Sequence, residues 1–277
     1  MATTPATSGN GPRRDAPASS EETSAGGANQ GPGPDTNGPD ENGPDENGTV
    51  DELASGVSRA AEQVAATVKP LLRGWIHAGA APFVLAAAIV LVALSPTAAA
   101  KWANAVFGLS AVMLFGTSAF YHRGTWSPHT TAVLRRLDHT NIFLIIAGSY
   151  TPLCVLLLPA TTSRNLLIAV WSGALVGLLA RIFWLGAPRW VYVPIYVILG
   201  WVAVAFLPQF YREGGPAILW LVIAGGLAYT LGAAVYGTKR PNPSPRYFGF
   251  HEIFHALTVV GFTCHYIAVS IATYALR

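Results

Sequence analysis

The sequence predicts an all-α membrane protein, a seven-transmembrane helix bundle with its N-terminus inside, preceded by a disordered acidic tail. Three observations carry this. Charged residues make up 11 % of the 277 positions, against roughly 25 % in soluble domains, while apolar residues reach 52 % and mean hydropathy is +0.40. The charges are segregated. Positions 1–68 hold eleven of the fourteen acids and three bases, a net −8, and the rest of the chain holds three acids and fourteen bases, a net +11. From position 74 onward, apolar runs near 20 residues follow one another, the length that crosses about 30 Å of hydrocarbon. An ordinary soluble globule is excluded. So is a nucleic-acid binder, because the cations are scattered singly between apolar runs.

Positions 1–50 are Gly, Pro, Asn, Ser, Thr and acid, with almost no large apolar side chain. Such a segment cannot bury enough surface to offset its chain entropy and is expected to be disordered. It carries a five-residue echo, Gly33 to Asn37, Gly38 to Asn42 and Gly43 to Asn47, too short to be a structural repeat. It lacks the basic start and apolar stretch of a signal peptide. Over 51–68, Leu53, Val57, Ala60, Ala61, Val64 and Val68 recur at three- and four-residue spacing, which predicts an amphipathic juxtamembrane helix too polar to span. The membrane domain proper is 69–277.

Seven spans are expected at about 77–95, 103–121, 139–158, 166–185, 191–208, 217–236 and 250–273. They are separated by Ser95-Pro96, Arg123 to Arg136, Pro159 to Arg164, Ala187 to Arg189, Tyr211 to Pro216 and Lys239 to Pro245. Trp75, Trp102, Trp184, Trp190 and Trp201 fall near span ends, where indole rings favour the interface. With the N-terminus inside, inner flanks collect ten Lys and Arg residues and outer flanks four, so the positive-inside rule orients the chain N-inside and C-outside. Cys154 and Cys264 lie inside spans and read as small apolar fillers.

Ionisable and imidazole groups inside spans are costly, so each needs a reason. His122 closes the second span, Asp138 and His139 open the third, and His251, Glu252 and His255 open the seventh. With the orientation set by Arg and Lys alone, all of these fall at one level near the cytoplasmic leaflet. Ser118 shares a face with His122, four residues on. His251 and His255 are also four apart, the spacing by which two imidazoles grip one metal ion. His265 is 14 residues beyond His251, about 21 Å along the axis, too far to share that ion. His122 is then the best third ligand, and three histidines leave a fourth position for water. Asp138 could hold that water, act as general base or orient a ligand imidazole. Ser118 has a plain packing alternative as a small residue at a helix crossing. His77 and His139 read as structural or interfacial residues and His129 as a solvated one. The string His251-Glu-Ile-Phe-His255 also fits the zincin pattern, with Glu252 as base, though Glu252 could instead face elsewhere and pair with an arginine.

Ser118-Ala-Phe-Tyr-His122-Arg, Leu137-Asp138-His-Thr-Asn followed by Ala147-Gly-Ser-Tyr-Thr-Pro152, His251-Glu-Ile-Phe-His255 and Cys264-His265-Tyr266 resemble the bacterial hemolysin III proteins. Lys69-Pro70 and Arg73-Gly-Trp-Ile-His77 add to the likeness, which covers about 69–277. That family is akin to the adiponectin and progestin (adipoQ) receptors and more distantly to alkaline ceramidases. The resemblance implies a seven-helix bundle in the bacterial plasma membrane. It also implies an intramembrane zinc ion on His122, His251 and His255, Asp138 beside the metal-bound water, and Ser118 as the family's serine. Three functions compete: a zinc-dependent hydrolase of a lipid amide or ester, a non-catalytic regulator or receptor-like protein with structural zinc, and a pore-forming cytolysin. Membrane lipids are the expected partners, as substrate or ligand. No span carries the continuous polar stripe that would line an open pore.

Overall fold

The computed structural model describes residues 50–58, 70, 72–184 and 188–276. Residues 50–58 are helical, as expected for the start of the amphipathic segment; the tail over 1–49 and residues 59–68 lie outside the described residues. The helices that follow are α1 (Trp75–Ala93), α2 (Ala98–Arg123), α3 (Pro128–Leu157), α4 (Ala160–Phe183), α5 (Arg189–Trp201), α6 (Leu207–Thr238) and α7 (Phe250–Tyr274), with a 3₁₀ segment (Val202–Phe206) between α5 and α6. Among the described residues the remaining regular pairing is one isolated bridge, Ser244 with Phe248.

Local chemistry sets the helix starts. The Thr97 side chain accepts from Ala100 N–H at the start of α2, and Ser127 does the same for Thr130 at the start of α3, where Pro128 takes the first helical position. That cap begins α3 eleven residues before the expected span at 139. Hydropathy marks where hydrocarbon would begin, whereas the cap marks where the helix does. The stretch from Pro128 to Arg136 is therefore helical rather than a loop.

Among the described residues six helical runs are long and apolar enough to cross a membrane, not seven separate ones. The difference lies in Arg189–Thr238, which counts as one run of 50 residues. It is not one rod. α5 is only 13 residues long, the 3₁₀ segment follows it, and Gly215 interrupts α6 at φ 77° and ψ 179°, just before Pro216. Trp201 Nε1 donates to Thr230 Oγ1 at 2.9 Å and Arg189 Nη1 donates to the Tyr236 carbonyl at 3.3 Å, so the chain doubles back on itself here. The break falls where the sequence separates its fifth and sixth spans.

α3 occupies the centre and touches α2, α4, α5, α6 and α7. Its most apolar window is 72 % buried, the highest of the six runs. Phe107, Phe115, Phe143 and Phe210 fill the core, while Phe83, Trp102, Phe183 and Trp190 face outward. An apolar exterior around an apolar core suits lipid as solvent. Cys154 and Cys264 are free thiols.

Candidate metal centre

Three helices bring the polar residues together. Ser118 and His122 sit on the last turns of α2, Asp138 on the third turn of α3, and His251 and His255 on the first two turns of α7. One ligand atom from each of His122, His251 and His255 lies within 4.8 Å of the other two. His122 Nε2 and His251 Nε2 are 3.2 Å apart. Two nitrogens bound to one tetrahedral zinc at about 2.0–2.1 Å would stand about 3.3 Å apart. The observed spacing fits that requirement, and the trio could hold a metal ion. His265 lies outside the trio, as its rise along α7 requires.

Asp138 Oδ2 stands 3.7 Å from His122 Nε2, the same nitrogen that faces His251. The carboxylate therefore lies on the side where a metal would sit. Ser118 is buried and, among the described residues, its hydroxyl has no hydrogen-bond partner. His77, Ser118, Asp138, His251 and His255 line one cavity, whose other walls include Leu114, Ile142, Ile146 and Leu153. His122 lines a second hollow with Arg73, Tyr121 and Trp126.

Glu252 takes no part in this cluster. It is 1 % exposed, accepts from Arg73 Nε at 3.1 Å and caps α7 by accepting from Gly249 N–H at 2.9 Å. His139 is held by the Arg135 carbonyl and by Tyr236 Oη at 3.1 Å, and His129 is exposed. His77, expected to be structural or interfacial, packs against the cluster. Its ring lies face to face with His255, centroids 3.9 Å apart and planes 10° from parallel.

Sequence reasoning missed Arg73 as the partner of Glu252, and Gly74. Gly74 adopts φ +81°, and a Cβ there would come within 2.6 Å of His122 Cβ. An arginine-glycine pair ahead of an apolar run is a faint signal of such a contact, because only glycine takes that conformation without strain.

The profile of the haemolysin-III-related family matches residues 65–266, most of the chain. The chain belongs to that family. It is 31 % identical over 135 residues to a hemolysin-3 homolog of Bacillus subtilis (strain 168), covering 49 % of this chain and 63 % of that protein. It is 30 % identical over 140 residues to hemolysin-3 of Bacillus cereus, covering 50 % and 64 %. The match thus spans a little under two thirds of either relative's length. A more distant likeness, 28 % over 190 residues, links it to the heptahelical transmembrane protein ADIPOR2 of Oryza sativa subsp. japonica, covering 62 % of this chain and 82 % of that protein. This haemolysin-III-related chain is accordingly a multi-pass membrane protein with a histidine cluster that could bind metal.

Proposed function

We propose that the protein is a zinc-dependent membrane hydrolase acting on an amide or ester bond of a lipid, with zinc on His122, His251 and His255. The observation that carries this is the meeting of three imidazoles and one carboxylate beside an apolar cavity that Asp138, His251 and His255 line. A zinc ion there would act as Lewis acid on a carbonyl oxygen and lower the pKa of bound water. Asp138, set on the side where the metal would sit, accepts a proton from the attacking water and returns it to the leaving group. This placement favours general base over support of a ligand imidazole. The free hydroxyl of Ser118 donates to the substrate carbonyl as charge develops on its oxygen. The cavity runs from the cluster to His265, about 21 Å along α7, with apolar walls that suit an acyl chain.

Seven crossings with a cytoplasmic N-terminus belong to the same proposal, with residues 1–50 as a solubilising tail and 51–68 as a surface helix. The doubling back of Arg189–Thr238 and the description of the rice relative as heptahelical support the count. A parity argument does too. His122 precedes the loop before α3 and His251 follows the loop before α7, yet their nitrogens are 3.2 Å apart. Both loops must then lie on one side of the membrane, so an even number of crossings separates them. α3 and α4 supply two, and two crossings by Arg189–Thr238 would keep the number even.

A structural role for zinc is the second reading, favoured by ligands drawn from α2 and α7, which the metal would tie together. Metal analysis and lipid turnover of the purified protein separate the readings. Wild type is expected to hold zinc near one per chain, and His122→Ala, His251→Ala and His255→Ala to lose it. Asp138→Ala is expected to keep zinc and lose about 10²-fold or more in lipid hydrolysis. Zinc that survives all three histidine changes sinks the site. Equal turnover by wild type and Asp138→Ala leaves the structural reading. Protein-dependent leakage of dye from liposomes would favour the cytolysin instead.

A further inference from the structure

A metal-binding imidazole normally donates its second ring N–H to a carboxylate, carbonyl or water, which fixes the ring's orientation. Among the described residues no hydrogen bond is made by the imidazole of His255. Its neighbour is His77, from α1, stacked at 3.9 Å and 10° from parallel. The other ring pairs within the cluster are tilted or edge-on: His122 with His251 at 74°, His122 with His255 at 57°, and His251 with His255 at 59°. The stack is thus the one flat contact in the group.

His77 has no other evident employment. It is 2 % exposed, and among the described residues neither ring nitrogen has a hydrogen-bond partner. Burying an imidazole this way costs free energy that an aliphatic side chain of similar size would not. It also meets Phe115, edge-on at 4.8 Å, and Phe115 rests in turn on Phe262. The register between α1 and α7 is also pinned. Arg73, one helical turn ahead of His77, pairs with Glu252, one turn ahead of His255. Gly74, between them, lets the backbone press against His122.

We propose that His77 is the positioning residue of His255, its stacked ring face doing for this ligand what a hydrogen bond does for others. The inference rests on the zinc site proposed above. The face of the ring is what matters, so a flat apolar ring should replace it and a branched aliphatic side chain should not.

The test uses the purified full chain and three proteins: wild type, His77→Phe and His77→Leu. Zinc affinity is measured by chelator competition, and the absorption spectrum of the cobalt-substituted protein reports the ligand geometry. His77→Phe should hold zinc within about threefold of wild type with an unchanged cobalt spectrum. His77→Leu fills the space without a ring, and should lose about 10- to 100-fold in affinity with shifted cobalt bands. Wild-type affinity and spectrum in His77→Leu overturn the proposal. So does an equal loss in both variants, which would make the nitrogens, rather than the ring face, the functional part. Failure of wild type to bind zinc or cobalt sinks the metal site itself and this inference with it.

Discussion

Glu252 stands beside His251 and three residues before His255, yet its carboxylate is spent on Arg73 and on the first turn of α7. A zincin-like base would have to turn into the cavity, and Glu252 does not line it. Replacing it with glutamine keeps the cap and removes the ion pair. Because Glu252 is 1 % exposed and Arg73 only 25 %, the change should destabilise the fold by about 2 kcal/mol. Zinc content should remain that of wild type. Thermal unfolding in detergent read beside metal analysis checks this; unchanged stability with lost hydrolysis would restore Glu252 as a base. The cluster itself was largely legible, because in lipid each imidazole or carboxylate needs a reason, and His122, Asp138, His251 and His255 were among those at a common level. His77 was not. Helical periodicity tells which face a residue occupies on its own helix, but not which ring from another helix will lie against it.

At the scale of elements, glycine decides how closely the helices approach. A Cβ on Gly177 of α4 would lie 2.2 Å from the Phe143 ring of α3, and Phe143 is itself buried against Tyr196. A Cβ on Gly148 of α3 would lie 2.8 Å from that of Ser110 on α2. Small residues at such crossings are how membrane helices gain van der Waals contact. Gly116 on α2 and Gly79 on α1 meet nothing within 4 Å. Alanine therefore acts with opposite sign at the two kinds of site. Gly177→Ala should destabilise by about 1–3 kcal/mol through overpacking. Gly116→Ala should be neutral or stabilise by up to about 1 kcal/mol, since alanine is the better helix former. Denaturation of the two variants side by side tests the helix packing without any assay of function. Apolar run length located these helices well but misplaced the start of α3, because Ser127-Pro128 reads equally as a turn and as a helix cap. It also could not show that α5 stops after 13 residues, since hydropathy continues through the 3₁₀ segment.

For the whole molecule, the topology can be tested by side-specific labelling. In the proposed seven-crossing topology the inner flanks would hold ten cations against four outside, and the loops before α3 and α7 would face the cytoplasm. If Arg189–Thr238 crossed once, those two loops would face opposite sides, and His122 and His251 could not meet. In a background lacking Cys154 and Cys264, single cysteines at the exposed positions Thr125, Thr161, Glu213 and Pro245 sample four of the connections between the proposed spans. An impermeant thiol reagent added to intact cells should label Thr161→Cys and Glu213→Cys. Thr125→Cys and Pro245→Cys should react only after the membrane is opened. Labelling of all the sites in reverse would invert the orientation and place the histidine cluster at the outer leaflet, leaving the crossing number intact. Labelling of Thr125→Cys and Pro245→Cys from opposite sides would break the parity, and with it the metal site, because no path of the chain could then bring α2 and α7 to one ion.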